Sequence, residues 1–219
     1  MFLGHFAVAI AAKKIDHRPS LGTYFLAAQL LDLLWPVFLL AGLETVAIDP
    51  GNTAFTPLDF VSYPYSHSLQ AAIVWAILFG GVYFLLQRSA RSAVLLSLLV
   101  VSHWVLDFIT HRPDLPLGVN EATKVGLGLW NQKGLTIVVE LLLFGVSAYG
   151  YTHDTRSMNR TGQYTWWGLL LFLLLIYILN TLGDPPPNAE AIGYAGLAQW
   201  LLVIWGYWTD RNRQLALEV

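Results

Sequence analysis

Seven apolar stretches follow one another along this chain, at about residues 1–12, 22–43, 68–87, 92–111, 134–152, 163–183 and 190–208. A helix needs about 20 residues to cross the roughly 30 Å hydrocarbon layer of a bilayer, and six of the seven are that long. The first is not: at 1.5 Å per residue it reaches only about 18 Å, so it is tilted, re-entrant or sunk among the others. Composition agrees with so much apolar length. The chain is 56% apolar and 12% charged, whereas a soluble domain carries about a quarter charged residues. The expected fold is an all-α membrane protein, a bundle of about seven membrane-embedded helices forming one domain over residues 1–219.

Orientation follows from the lysines and arginines, which concentrate on the cytoplasmic side. Lys13, Lys14, Arg18, Arg88, Arg91, Arg156, Arg160, Arg211 and Arg213 fall on one side of the expected bundle. Only Arg112, Lys124 and Lys133 fall on the other, all in one loop. The first side is therefore expected in the cytoplasm, the N-terminus outside and the C-terminus inside. A cleavable signal places its basic residues before the apolar stretch. Here Lys13 and Lys14 follow it, which suits a retained first helix. The two long outer loops, about 44–66 and 112–133, are rich in Pro, Gly, Asn and Asp and can shape an entrance.

Ionisable side chains inside spans cost several kcal/mol unless paired or metal-bound, so each is a functional candidate. They are His5, Asp32, His103, Asp107 and Glu140, with His67 and His111 at helix ends. No Lys or Arg lies within the spans to neutralise the carboxylates, which must be protonated or share a cation. The absence of cysteine excludes disulfides and thiolate sites. Imidazole with carboxylate suits zinc, with manganese or iron as alternatives. In the expected topology every candidate falls in the outer half or near mid-membrane, as a single site requires.

Spacing adds detail. His103 and Asp107, four apart, share a helix face, and His111 continues it by a turn. Pro36 removes the hydrogen bond that the Asp32 carbonyl would accept, so a kink there turns Asp32 inward. Ser66 or Ser68 caps the third stretch, a helix over about 68–87, leaving His67 in its first turn. His17 and His153 sit beside charges on cytoplasmic turns and are read as solvated. Trp166, Trp167, Trp205, Tyr207 and Trp208 are read as interfacial anchors. Asn180 and Asp184–Pro187 form a rigid turn at an outer helix end.

Taken in order, Gly4-His5, Asp32, Tyr65-Ser66-His67-Ser68-Leu69 and Ser102-His103-Trp104-Val105-Leu106-Asp107 resemble the YdjM-like family of bacterial inner-membrane, membrane-bound metal-dependent hydrolases. The resemblance covers roughly residues 1–115. That family is thought to be related to zinc-dependent phospholipases C and single-strand-specific zinc nucleases, all-helical enzymes with a three-zinc cluster. The resemblance implies His5, Asp32, His67, His103 and Asp107 as metal ligands. His111 stands roughly where a later His would be. Glu140 matches the final glutamate, although the His expected four residues earlier is Thr136, so one or two ions are expected. The N-terminal amino group that ligates zinc in the secreted relatives has no equivalent here, since no signal cleavage exposes Met1.

The function expected is hydrolysis of a phosphoester at the outer face of a bacterial-type plasma membrane. Asp32 would orient the attacking water or, like Asp107, bridge ions. The bilayer itself is the expected partner, and the substrate a lipid-linked or phosphorylated small molecule. Nothing basic or repetitive points to nucleic acid, and no P-loop, nucleophile elbow or dinucleotide fingerprint is present. The alternative is a transporter or permease in which intramembrane Asp, Glu and His couple flux to ions or protons. Against it, the chain lacks repeated halves and paired broken helices. A structural bundle whose polar cluster only holds helices together is the third reading.

Overall fold

A computed structural model describes residues 1–216 of the chain, and it is mostly helical. Four helices are long and apolar enough to cross a membrane: α5 (Leu69–Gln87), α6 (Ala90–Thr110), α7 (Lys133–Asp154) and α8 (Arg160–Leu182). A fifth span is formed if α2 (Leu21–Ala28) and α3 (Leu30–Leu40) are taken together, bent by 54° at Gln29. This differs from the seven expected. α1 (Phe2–Ile15) has 14 residues, and the last apolar stretch is divided into α9 (Ala189–Leu197) and α10 (Gln199–Asp210). α1 is sunk among its neighbours: Leu3, His5, Phe6, Ala7, Ala9 and Ile10 are all buried, which a helix too short to span requires.

The break between α2 and α3 also falls elsewhere than expected. Pro36 lies inside α3, and the bend is at Gln29, one turn before Asp32. Asp32 therefore stands in the first turn of α3, where the partial positive charge of a helix N-terminus favours a carboxylate.

Short strands tie down the two ends of the bundle. At one end β1 (Thr45–Ile48) pairs antiparallel with β2 (Leu58–Ser62), in register Ala47 with Asp59 and with a bulge beside Thr45. β3 (Leu115–Pro116) pairs there with β4 (Lys124–Val125). The side chain of Arg112 joins the two hairpin loops, pairing with Asp59 and with Asp114. Gly126 (φ +159°) lets the second loop run against the end of α6, since a Cβ there would meet the His111 and Arg112 carbonyls at 2.4 and 2.1 Å. The next two residues donate from Leu127 N to Phe108 O and from Gly128 N to His111 O, satisfying carbonyls that the end of α6 would otherwise leave open.

At the other end β5 (Thr155–Ser157) pairs with β6 (Arg213–Leu215). Lys13 donates to Asp210 and to the Pro19 carbonyl, and buried Arg213 donates to Thr155 and Ser157. Asp16 accepts from the Ser92 hydroxyl and the Arg18 amide. Burial works against the Asp16 carboxylate, but these donors and the Arg18 charge outweigh it and hold the carboxyl below its usual range.

His17 and His153 are exposed, as expected, and so are Trp167 and Trp208. Trp166 is not an anchor: it is completely buried, with its Nε1–H donating to Thr152.

Where α2 crosses α10 the backbones come close. A Cβ on Gly22 would lie 2.3 Å from the Tyr207 ring and 2.7 Å from its backbone nitrogen. Small residues at such crossings let helices pack without a cavity. Gly22→Ala is expected to force them apart and cost about 1–3 kcal/mol, seen as a lower midpoint in thermal unfolding of the detergent-solubilised protein. An unchanged midpoint would show that the crossing yields at no cost.

Candidate metal centre

α1, α3, α6 and the short helix α4 (Pro64–His67) each bring one or two polar side chains to a common point near the hairpin end. His5 comes from the second turn of α1 and Asp32 from the first turn of α3. His67 is the last residue of α4, and His103 and Asp107 share one face of α6. Two groups have ligand atoms all within 4.8 Å of one another and could hold a metal ion: His5, His103 and Asp107, and Asp32, His67 and His103.

Asp107, a member of the first group, also turns one oxygen toward the second. Its Oδ1 lies 3.1 Å from His5 Nε2, and its Oδ2 lies 3.2 Å from His103 Nε2 and 3.7 Å from His67 Nε2. Asp32 Oδ1 closes the second group at 3.4 Å from His67 Nε2 and 3.6 Å from His103 Nε2. His103 belongs to both groups, and Asp107, a member of the first, reaches with Oδ2 toward His67 of the second, so it would be the carboxylate to link two ions. The His5 and His103 rings are stacked 3.6 Å apart and nearly parallel, so they present their nitrogens side by side.

The tautomers of two histidines are fixed by what lies behind them. His103 Nδ1 is 2.7 Å from the Ala28 carbonyl, which can only accept, so Nδ1 carries the proton. That carbonyl is within reach because α2 ends there. His103 Nε2 then turns a lone pair toward two carboxylates, and it has no hydrogen-bond partner although fully buried. Acceptors facing acceptors at this range repel unless positive charge lies among them, either a proton on Nε2 or a metal ion. His67 has Ser66 Oγ at 2.7 Å from its Nδ1, and Ser66 Oγ in turn donates to Glu44 Oε2 at 2.7 Å. Burial raises the Glu44 carboxyl, while the Ser66 hydroxyl and the Ser66 and Tyr65 amides pull it back.

Glu140 and His111 were expected in this group and stand apart from it. Glu140 is buried, and its Oε2 accepts from the Leu3 and Gly4 amides at 2.6 and 3.3 Å. A carboxylate from α7 thus caps the open N–H groups at the start of α1 and holds His5 in place. His111 follows the end of α6 in an extended conformation, which takes it off the face of His103 and Asp107. Its Nδ1 pairs with Asp114 at 2.9 Å, and its ring packs on Trp130 at 4.3 Å between centroids.

Ser68, not Ser66, caps the following helix: it accepts from Ala71 N. His67 therefore precedes that helix instead of opening it.

Met1 is where the sequence was least informative. Its amino group lies 2.7 Å from Asp107 Oδ1 and 3.1 Å from His5 Nε2, fully buried. As an ammonium it pairs with Asp107.

Compared with protein-family models, with curated proteins and with solved structures, the chain matched none. The likeness to the YdjM-like hydrolases therefore rests on its four short motifs. All four meet at this cluster.

Asp32 is the one member open to the surroundings. Its side chain is 25% exposed, against at most 5% for His5, His67, His103 and Asp107. Anything entering the cluster meets Asp32 first. A cavity of about 480 Å³ lies elsewhere, between the far ends of α1 and α7, lined by Lys13, Lys14, His17 and Tyr149.

Proposed function

We propose that the protein is a membrane-bound metal-dependent hydrolase of phosphoesters, with up to two divalent ions held by His5, Asp32, His67, His103 and Asp107. The observation that carries this is the convergence of acceptors: buried His103 Nε2, the part-buried Asp32 carboxylate and the buried Asp107 carboxylate face one another, and the one cation beside them, the Met1 ammonium, answers Asp107 Oδ1 alone. Zinc fits imidazole and carboxylate donors, with manganese and iron as alternatives. When bound, the ion lowers the pKa of a water and polarises a phosphoryl oxygen.

The protein's own residues supply the rest. Asp107 offers Oδ1 toward His5 and Oδ2 toward His103 and His67, and the Ala28 carbonyl keeps the His103 lone pair forward. Asp32, the exposed member, orients the incoming water. The basic residues at the β5–β6 end support a cytoplasmic position for that end, with the cluster toward the outer face of a bacterial-type plasma membrane. A site at that depth favours a lipid-linked or other phosphorylated substrate.

The test is metal content by mass spectrometry on the detergent-purified protein, followed by a panel of phosphoesters. One or two equivalents of zinc with hydrolysis of some member is the expected result. A protein that neither carries nor takes up zinc, manganese or iron would sink the proposal. Bound metal without hydrolysis, but with flux in proteoliposomes, would transfer the same cluster to a transporter.

A further inference from the structure

We propose that Glu44 and Ser66 form a positioning relay that fixes the His67 imidazole with its proton on Nδ1 and its lone pair on Nε2, directed at Asp32 and Asp107. This rests on the metal-centre reading and extends it to two residues outside the ligand set.

Glu44 lies just before β1, 22 positions ahead of Ser66, and both are buried, with Glu44 1% exposed and Ser66 not at all. The carboxylate is used on both sides. Glu44 Oε1 accepts from the Tyr65 and Ser66 amides, each at 2.8 Å, which fastens the start of α4. Glu44 Oε2 accepts from the Ser66 hydroxyl at 2.7 Å. The fastening of α4 needs Oε1 alone, so the second oxygen serves something else. A serine hydroxyl has one proton. With that proton given to Glu44, Ser66 Oγ can only accept from His67 Nδ1 at 2.7 Å. The imidazole then has its N–H behind it and its lone pair in front, 3.4 Å from Asp32 Oδ1 and 3.7 Å from Asp107 Oδ2. Partners behind a ligating histidine set its tautomer and ring orientation, and losing one lowers metal affinity about 10–100-fold.

Changing one atom type should reverse the relay. In Glu44→Gln the two amides still need an oxygen acceptor, so the side-chain NH₂ turns toward Ser66. Ser66 Oγ then accepts, and its hydroxyl proton goes to His67 Nδ1. The His67 proton is forced onto Nε2, where it blocks the ligand position. Ser66→Ala removes the relay and leaves the ring free to take either tautomer, whereas Ser66→Thr keeps the hydroxyl.

The experiment is long-range ¹H–¹⁵N spectroscopy of the metal-free, histidine-labelled full chain, with His67 assigned by its loss in His67→Gln. It is run beside zinc titration of each variant. The expected result is Nδ1–H in the wild type and Ser66→Thr, a mixture in Ser66→Ala, and Nε2–H in Glu44→Gln. Zinc binding should weaken about 10–100-fold in the last two. A wild type with the proton on Nε2, or a Glu44→Gln spectrum identical to wild type, overturns the relay. The spectra judge the relay without metal, and zinc uptake by the wild type judges the centre. If Ser66→Ala does not fold, the near-isosteric Glu44→Gln decides alone.

Discussion

Asp107→Ala is expected to empty both halves of the centre at once. Asp107 stands in the first group, with Oδ1 toward His5, and its Oδ2 reaches between His103, which both groups share, and His67 of the second. Removing a residue behind a ligand costs about 10–100-fold in metal affinity, so removing a bridging ligand should cost more than 100-fold. Metal content should fall below a tenth of an equivalent, and hydrolysis with it.

His5→Ala and His67→Ala make the comparison informative, because each lies in only one group. Each should lose about one equivalent and keep the other. The variants are compared by metal analysis after dialysis against a common free-zinc level, with circular dichroism to show that the helices persist. If Asp107→Ala retains the wild-type metal content, the cluster is not a metal centre and the carboxylates are neutralised by protons.

Glu140→Ala is expected to damage the fold first and the metal centre only through it. Glu140 Oε2 accepts from the Leu3 and Gly4 amides at the start of α1, and no polar side chain lies ready to replace it. Two buried amides left without acceptors cost about 1–3 kcal/mol each, or roughly 2–6 kcal/mol together. The first turn of α1, with His5 behind it, should loosen. Glu140→Gln keeps an oxygen for those amides, so it should unfold within a few degrees of wild type and carry the wild-type metal content. If Glu140→Gln loses an equivalent of metal at unchanged stability, Glu140 is a ligand after all.

How far the sequence reached can be followed residue by residue. His103 and Asp107 were legible because a helix puts positions four apart on one face. His67 and Asp32 were legible as costly groups in an apolar context, with no cation in the spans to answer them. His111 was misjudged because the helix period was carried past the point where α6 stops. Pro36 drew the kink away from Gln29, where no proline or glycine signals it. Glu44 stood unnoticed in a loop, since its partners Tyr65 and Ser66 are 21 and 22 positions away.

Met1 was raised through the amino-terminal ligand of the secreted relatives and set aside. Only the burial of α1 among α2, α6 and α7 carries its amino group to Asp107, 106 positions on.

By itself the sequence determined that this chain is helical and has membrane-length apolar segments, because a run of some twenty apolar residues has few other ways to satisfy its backbone. It also singled out the five residues that the structure brings together, because ionisable groups in such runs are rare and costly. The tertiary structure decided the number of helices long enough to cross, since α1 and the α9–α10 pair are too short or broken to do so alone. It decided which oxygen faces which nitrogen, and which residues stand behind the ligands. Those are contacts between segments distant in sequence, and they are settled by packing across the bundle, which no local pattern encodes.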